Sequence, residues 1–189
     1  MKIFLTDQEH KFNKHLDFLK SRPIMVYDKN QLTEKTTTID IQIQKSLNQI
    51  NLDFLFEYKI FPEDIMTFKA QWDDEKRKMQ LGDTITQQVY LPPTRIISQK
   101  IIFGVRITEL IDQTDKKGFS YETLEGHVEK GISSFTVEQL ESKLVFKITT
   151  YSTPGNILTK LLGPIFSIPY QTFCTKKALK NVKRQIEIQ

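Results

Sequence analysis

Apolar and polar positions along this chain follow two periods, and the switches between them divide it into elements. Near the start, Phe12, Leu16 and Leu19 recur at helical spacing behind Thr6-Asp7-Gln8-Glu9, which has the form of a capping box, and Pro23 stops the run. The pattern predicts a short N-terminal helix lying on the body. Residues 28–35 are polar and aperiodic and read as a loop. Residues 36–44, Thr36-Thr37-Thr38-Ile39-Asp40-Ile41-Gln42-Ile43-Gln44, alternate and are rich in β-branched side chains, so a half-buried strand is expected. Ser46 is placed to cap a helix whose apolar face holds Leu47, Ile50, Leu52, Leu55 and Phe56 and which ends before Pro62. Residues 68–72 read as a short strand, with Trp72 at its end and a solvated acidic turn after it.

Strand-like runs then recur at regular intervals. Residues 84–90 follow the Gly82-Asp83 turn and close at Pro92-Pro93; residues 101–111 lead into a turn at Asp115-Lys116-Lys117-Gly118; residues 119–124, 134–140 and 144–151 continue the pattern. Strands at this spacing, joined by short turns, predict an antiparallel meander. Ser152-Thr153-Pro154-Gly155 ends it. Ile157, Leu158, Leu161, Leu162, Ile165 and Phe166 then mark an apolar, helix-like segment interrupted by Gly163-Pro164. Pro169 suits the first turn of a final helix, with Tyr170, Phe173, Cys174, Ala178, Val182 and Ile186 as its apolar stripe and Lys176, Lys177, Lys180, Lys183 and Arg184 on other faces. A curved sheet with an apolar concave face must be covered, and an amphipathic C-terminal helix is the natural cover. The space between the two is the natural cavity. One domain is expected over residues 1–189: an N-terminal helix and loop (1–35), strands with a helical insert (36–151) and a C-terminal helical segment (154–189).

Composition narrows the class. With 39% hydrophobic and 26% charged residues in 189, the chain suits a globular protein with a real core. Thirteen phenylalanines suit a thick core or an apolar cavity wall. The net charge of +4 is modest, and the aromatics of the basic final helix sit on its apolar stripe, so base stacking and nucleic-acid binding are not expected. A single cysteine, Cys174, excludes an internal disulfide and a cysteine-based metal cluster, and it reads as an inert packed thiol. The first apolar run is too short for a signal sequence, and no apolar stretch spans a membrane; a cytoplasmic protein is expected. No glycine-rich phosphate loop, nucleophile elbow or metal-ligand spacing occurs, so neither cofactor nor metal is expected.

The richest stretch runs from Gly118 to Phe135, where Gly118, Gly126 and Gly131 stand among Tyr121, Thr123 and His127. Gly126 and Gly131 read as bulge or bend devices of a curved sheet. Tyr121 and Thr123 lie two apart and so share a strand face. That face is either the concave one, carrying hydroxyls into a pocket, or a face making solvent or cross-strand contacts. His127 serves either as a general base or ligand hydrogen-bonding group, or as a structural imidazole bonded to nearby backbone. Tyr151, at the exit of the last strand, is a further ligand-binding candidate, with plain packing as its alternative.

These residues carry a resemblance. Gly118-Phe119-Ser120-Tyr121, Thr123-Leu124-Glu125-Gly126-His127, Gly131 and Phe135 resemble the uncharacterised DUF1990 family. So do Ile148-Thr149-Thr150-Tyr151-Ser152-Thr153-Pro154 downstream, Leu162-Gly163-Pro164 and Phe173. That family lies within the START-like, SRPBCC or helix-grip superfamily, which includes the birch-pollen-allergen and polyketide-cyclase proteins. The resemblance runs from about Gly82 to Val182 and rests on little more than Ile60-Phe61-Pro62 before that. It implies an α+β helix-grip fold, a curved antiparallel sheet wrapped around a long C-terminal helix. It also implies binding of a small hydrophobic or lipid-like ligand, with cyclase- or hydrolase-type chemistry at His127, or a protein-interaction role, as alternatives. Four departures stand out. Glu122 replaces a usual glycine, Ile132-Ser133 replaces a frequent acidic pair, Ile41-Gln42-Ile43-Gln44-Lys45 replaces a glycine-bearing element, and Tyr58 stands near the place of a missing tryptophan.

Overall fold

In the computed structural model, which describes residues 2–92, 94, 96–141, 143–154 and 168–189, the alternating runs pair into one eight-stranded antiparallel sheet. In chain order the strands are β1 (Lys2–Phe4), β2 (Thr33–Ile41), β3 (Met66–Ala70), β4 (Thr84–Leu91), β5 (Gln99–Asp112), β6 (Lys116–Thr123), β7 (Glu129–Leu140) and β8 (Lys143–Pro154). The helices are α1 (Phe12–Lys20), the single turns α2 (Asp53–Phe56) and α3 (Gln71–Asp74), and the long α4 (Ile168–Glu187). Strands β3 to β8 form the meander, and β2 closes it on β8, giving the order β2-β8-β7-β6-β5-β4-β3. The apolar segment expected at Ile157–Phe166 and the Leu162-Gly163-Pro164 turn lie outside the described residues.

The two faces of the sheet have different covers, which explains the sequence of its middle strands. Helix α4 lies on the concave face, where Ala178, Val182 and Ile186 are fully buried beside Phe119, Phe135 and Phe146. Helix α1 covers the opposite face over β3–β5, placing Leu16 and Leu19 against it. Strands β4 and the first half of β5 are therefore buried on both sides; β5 reads as the continuous apolar run Ile101-Ile102-Phe103-Gly104-Val105, whereas β4 buries Thr84, Thr86, Gln87 and Gln88 among its apolar residues. Strand β6 leaves β5 at the Thr123–Val105 pair, and β1 takes the vacated edge, pairing Lys2–Phe4 with Lys100–Ile102. A bulge between Ile107 and Glu109 bends β5.

Two glycines bring the strands of the concave wall together. At Gly131 φ is +149°, and a Cβ would stand 1.9 Å from the Tyr151 carbonyl oxygen; at Gly118 the same atom would stand 2.0 Å from the Phe135 carbonyl oxygen. Neither position has room for a side chain, so both glycines serve the sheet.

Several expectations need correction. Asp7, not Thr6, makes the first cap: its Oδ1 accepts from the Glu9 amide at 2.8 Å, and a 3₁₀ turn precedes α1. Strand β2 begins and ends three residues early, because its first half carries no apolar side chain to mark it and is set by its ladder to β8. The helix expected over 47–56 is a 3₁₀ turn capped by Ser46 and Gln49, then α2. Asn51 separates them, its Oδ1 accepting from the Asp53 amide at 2.7 Å. Trp72 stands in α3 rather than ending a strand, where Asp73 accepts from the Ala70 amide. The turn placed at Asp115–Gly118 ends at Asp115, and Gly118 lies inside β6. Phe173 leaves the buried stripe; it is 40% exposed, with the Lys177 ammonium 5.6 Å from its ring centroid.

Candidate functional site

Between the concave face and the first half of α4 lies a cavity of about 500 Å³. Its walls differ in chemistry. On the β3–β5 side Met66, Val89, Leu91, Ile101 and Phe103 form an apolar surface. Across from it, register aligns a polar row over four strands: Tyr121 of β6 stands opposite Ser133 of β7, Ser133 opposite Thr150 of β8, and Thr150 opposite Lys35 of β2. All four line the cavity.

Tyr121 belongs to a buried hydroxyl network. Gln87 Nε2 donates to the Tyr58 hydroxyl at 2.5 Å, and Tyr121 is hydrogen-bonded to Tyr58, Gln87 and Ser133. Burial raises the pKa of both tyrosines above the ordinary value, so both stay neutral. Thr123 is tied to the backbone, its hydroxyl accepting from the Gly131 amide at 3.1 Å.

His127 follows the tight turn after β6, where its amide donates to the Leu124 carbonyl at 3.0 Å. Its Nδ1 lies 3.0 Å from the Glu129 amide nitrogen and 2.8 Å from the Glu129 carbonyl oxygen, which leaves Nε2 as the uncommitted nitrogen. The ring meets Phe103 edge to face at 4.1 Å. It is half-buried and lines the cavity. Desolvation pushes its pKa down to about 3, so the imidazole is neutral at physiological pH.

Glu129 opens β7 on the same wall. Its carboxyl accepts from Gln171 of α4 and from Ser152 of β8, and burial raises its pKa. No cationic side chain among the described residues forms an ion pair with it; Lys35, whose charge favours the ionised form, donates its Nζ to the Thr172 hydroxyl at 3.1 Å. Cys174 also faces the cavity, its thiol pushed up to about 11 by burial.

The structure thus brings Tyr121, Thr123 and His127 onto one cavity wall. Tyr151 does not join them. Thr150 and Ser152 point inward, so the alternation of β8 turns Tyr151 to the outer face, where it is 36% exposed. Gln87, Glu129, Ser133 and Gln171 were missed. One signal was available for the first, the Gln87-Gln88 pair at the centre of strand β4. The basic face of α4 is largely engaged: Lys177 pairs with Asp64 at 3.1 Å and Lys183 with Glu187 at 3.4 Å. Among the described residues, no helix is long and apolar enough to cross a membrane, and no group of three acidic, histidine or cysteine side chains is placed to hold a metal.

A family model described as "Domain of unknown function (DUF1990)" matches residues 51–181, more than two thirds of the chain. The chain belongs to this family. Its Tyr121-to-His127 motif and the Gly118 and Gly131 positions fall inside the matched span. No curated protein matches. Among solved structures, the chain is similar to a hypothetical protein from Helicobacter pylori, with a TM-score of 0.58 at 8% identity, covering 80% of this chain and 86% of that one. It is similar also to a major latex-like protein from Panax ginseng, with a TM-score of 0.55 at 11% identity over 82% and 97% of the two chains. A protein from Chromobacterium violaceum gives a TM-score of 0.51 at 16% identity over 80% and 97%. These likenesses establish the fold, a helix-grip of the START-like kind, for this DUF1990 member.

Proposed function

We propose that this DUF1990 protein binds a small hydrophobic molecule between its sheet and α4. One observation carries the reading: a cavity of about 500 Å³ with a mainly apolar wall, interrupted by Gln87 and Gln99, on one side and a limited set of hydrogen-bonding groups on the other. Ligand sites of about 300–1,000 Å³ with that composition are the common form of small-molecule pocket. The apolar wall supplies affinity through the surface it removes from water, and Tyr121, Thr123, Ser133 and His127 supply orientation.

The test is fluorescence titration with Nile red, a neutral apolar dye, on the full chain and on Thr175→Trp. Thr175 faces the cavity from α4, and an indole there occupies the ligand's volume. Saturable binding is expected for the native chain, weakened at least about tenfold, or about 1.4 kcal/mol, by the substitution. Native mass spectrometry of protein purified from its own host is expected to show a co-purified small molecule. Failure of the native chain to bind the dye, or binding indifferent to Thr175→Trp, overturns the reading.

A further inference from the structure

The charge of the polar wall is lopsided. Among the described lining residues the ionisable groups are Lys35, Tyr121, His127, Glu129, Tyr170 and Cys174. Both tyrosines and the thiol are held neutral by burial, and so is the imidazole. Lys35 is exposed at the rim with its ammonium on Thr172. Among the described residues of the wall proper, Glu129 is the one carboxyl. Its neighbours, Gln171 and Ser152, are neutral donors.

A carboxyl in such a place is costly to ionise, because desolvation penalises its anion and the charge that favours it among the described residues, Lys35, is bonded to Thr172 instead. A ligand that brings a cation removes that cost and gains a charge-assisted hydrogen bond. A ligand that brings a second carboxylate adds like-charge repulsion. The same cavity also has aromatic lining residues, Phe103, whose ring lies against His127, and Tyr170 of α4. Aromatic faces beside a carboxylate form the ordinary receptor for an organic ammonium group.

We infer that the ligand is an amphipathic organic amine, with its ammonium against the Glu129 carboxylate and its apolar body on the Val89, Ile101 and Phe103 wall. This rests on the binding reading above and narrows it. The net charge of the whole chain, +4, has the opposite sign and does not set the preference, since screening confines the chain's other charges to their own surroundings.

The experiment is displacement of Nile red by a matched naphthalene series: 2-naphthylethylamine, 2-naphthylethanol and 2-naphthylacetate. The amine is expected to compete at least about tenfold better than the carboxylate, with the alcohol between them. Glu129→Gln is expected to bring that ratio to about one, whereas Glu34→Gln, a neighbouring exposed position on β2, keeps it. A second readout uses the native chain alone. The quaternary naphthyl trimethylammonium analogue keeps its charge at every pH, so its affinity is expected to fall on acidification as Glu129 protonates, while the alcohol's does not. Of the other titratable groups on this wall, His127 stays neutral through that range. Equal or tighter binding of the carboxylate, an amine preference that survives Glu129→Gln, or pH-independent ammonium binding overturns the inference while leaving the cavity as a binding site. Failure of the dye to bind at all overturns both.

Discussion

Gly131→Ala is the sharpest test of how this wall is built. The new Cβ would sit 1.9 Å from the Tyr151 carbonyl oxygen and 2.9 Å from Ser152 Cα, both backbone atoms of the paired strand, at a φ of +149°. The backbone conformation costs an alanine about 1–3 kcal/mol. Forcing β7 and β8 apart adds about 1–3 kcal/mol of overpacking strain. The sum is about 4 kcal/mol, which for a chain of this size lowers the melting temperature by about 8–16 °C. Two internal controls grade the effect. Gly82 has a φ of +87° but nothing within 4 Å of its Cβ position, so Gly82→Ala carries conformational strain alone, about 1 kcal/mol. At Gly104 the Cβ meets only the side-chain ends of Leu124 and Leu19 at 3.0 Å, which are able to give way, so Gly104→Ala costs about 1 kcal/mol as well. Circular-dichroism melts with urea midpoints measure all three. A Gly131→Ala protein that melts within about 2 °C of the native chain, or no lower than Gly82→Ala, refutes the account of this wall as a close backbone contact.

Three further outcomes are expected. His127 has a folded pKa of about 3 against 6.5 for the free side chain, so between those values the unfolded state binds the extra proton. Its contribution makes stability rise with pH across that window, and His127→Gln should flatten the slope of urea midpoint against pH. Tyr58→Phe removes the hydroxyl that accepts from buried Gln87 at 2.5 Å and should cost about 1–3 kcal/mol by chemical denaturation, since a buried amide is left short of a partner. Cys174, with its thiol pushed from 9.0 to about 11, should react with iodoacetamide at neutral pH roughly a hundredfold more slowly than a free cysteine, because the thiolate is the nucleophile.

Elements whose periodicity is set by burial on one side were legible in the chain. The alternation of β8 and the stripe Ala178, Val182, Ile186 of α4 were placed correctly because each faces a core and solvent in turn. Elements set by hydrogen bonds or by chain–chain fit were not. The first half of β2 is polar and held by its ladder, β1 is three residues filling a gap left by β6, and the broken helix at Asn51 depends on one side-chain cap. The candidate site divided along the same line. Tyr121 and Thr123 shared a face by strand period alone, but which face was concave depended on the order of strands. Tyr151 failed for that reason. Glu129, Ser133 and Gln171 were invisible because a polar residue on a strand or helix signals solvent unless the opposite wall is known.

The same geometry bears on the choice between binding and acid–base chemistry at His127. A general base must accept a proton readily at its working pH, and an imidazole with a pKa of about 3 is a weak acceptor near neutrality. Its Nδ1 is committed to the Glu129 backbone, so the Glu129 carboxylate is not the group that orients it. That carboxyl instead turns to Gln171 and Ser152, and the two titratable groups nearest in sequence are not coupled as a catalytic pair. Where the family resemblance leads one to expect two acids after Gly131, Ile132 and Ser133 line the cavity, and the Ser133 hydroxyl completes the hydrogen bonding of Tyr121. An acid there would have set a second buried charge beside two tyrosines kept neutral by the same burial. With serine in its place Glu129 is the one carboxyl among the described lining residues. Among the described lining residues, His127 and the Glu129 carboxyl thus turn to different partners, which supports the proposed binding reading over acid–base chemistry.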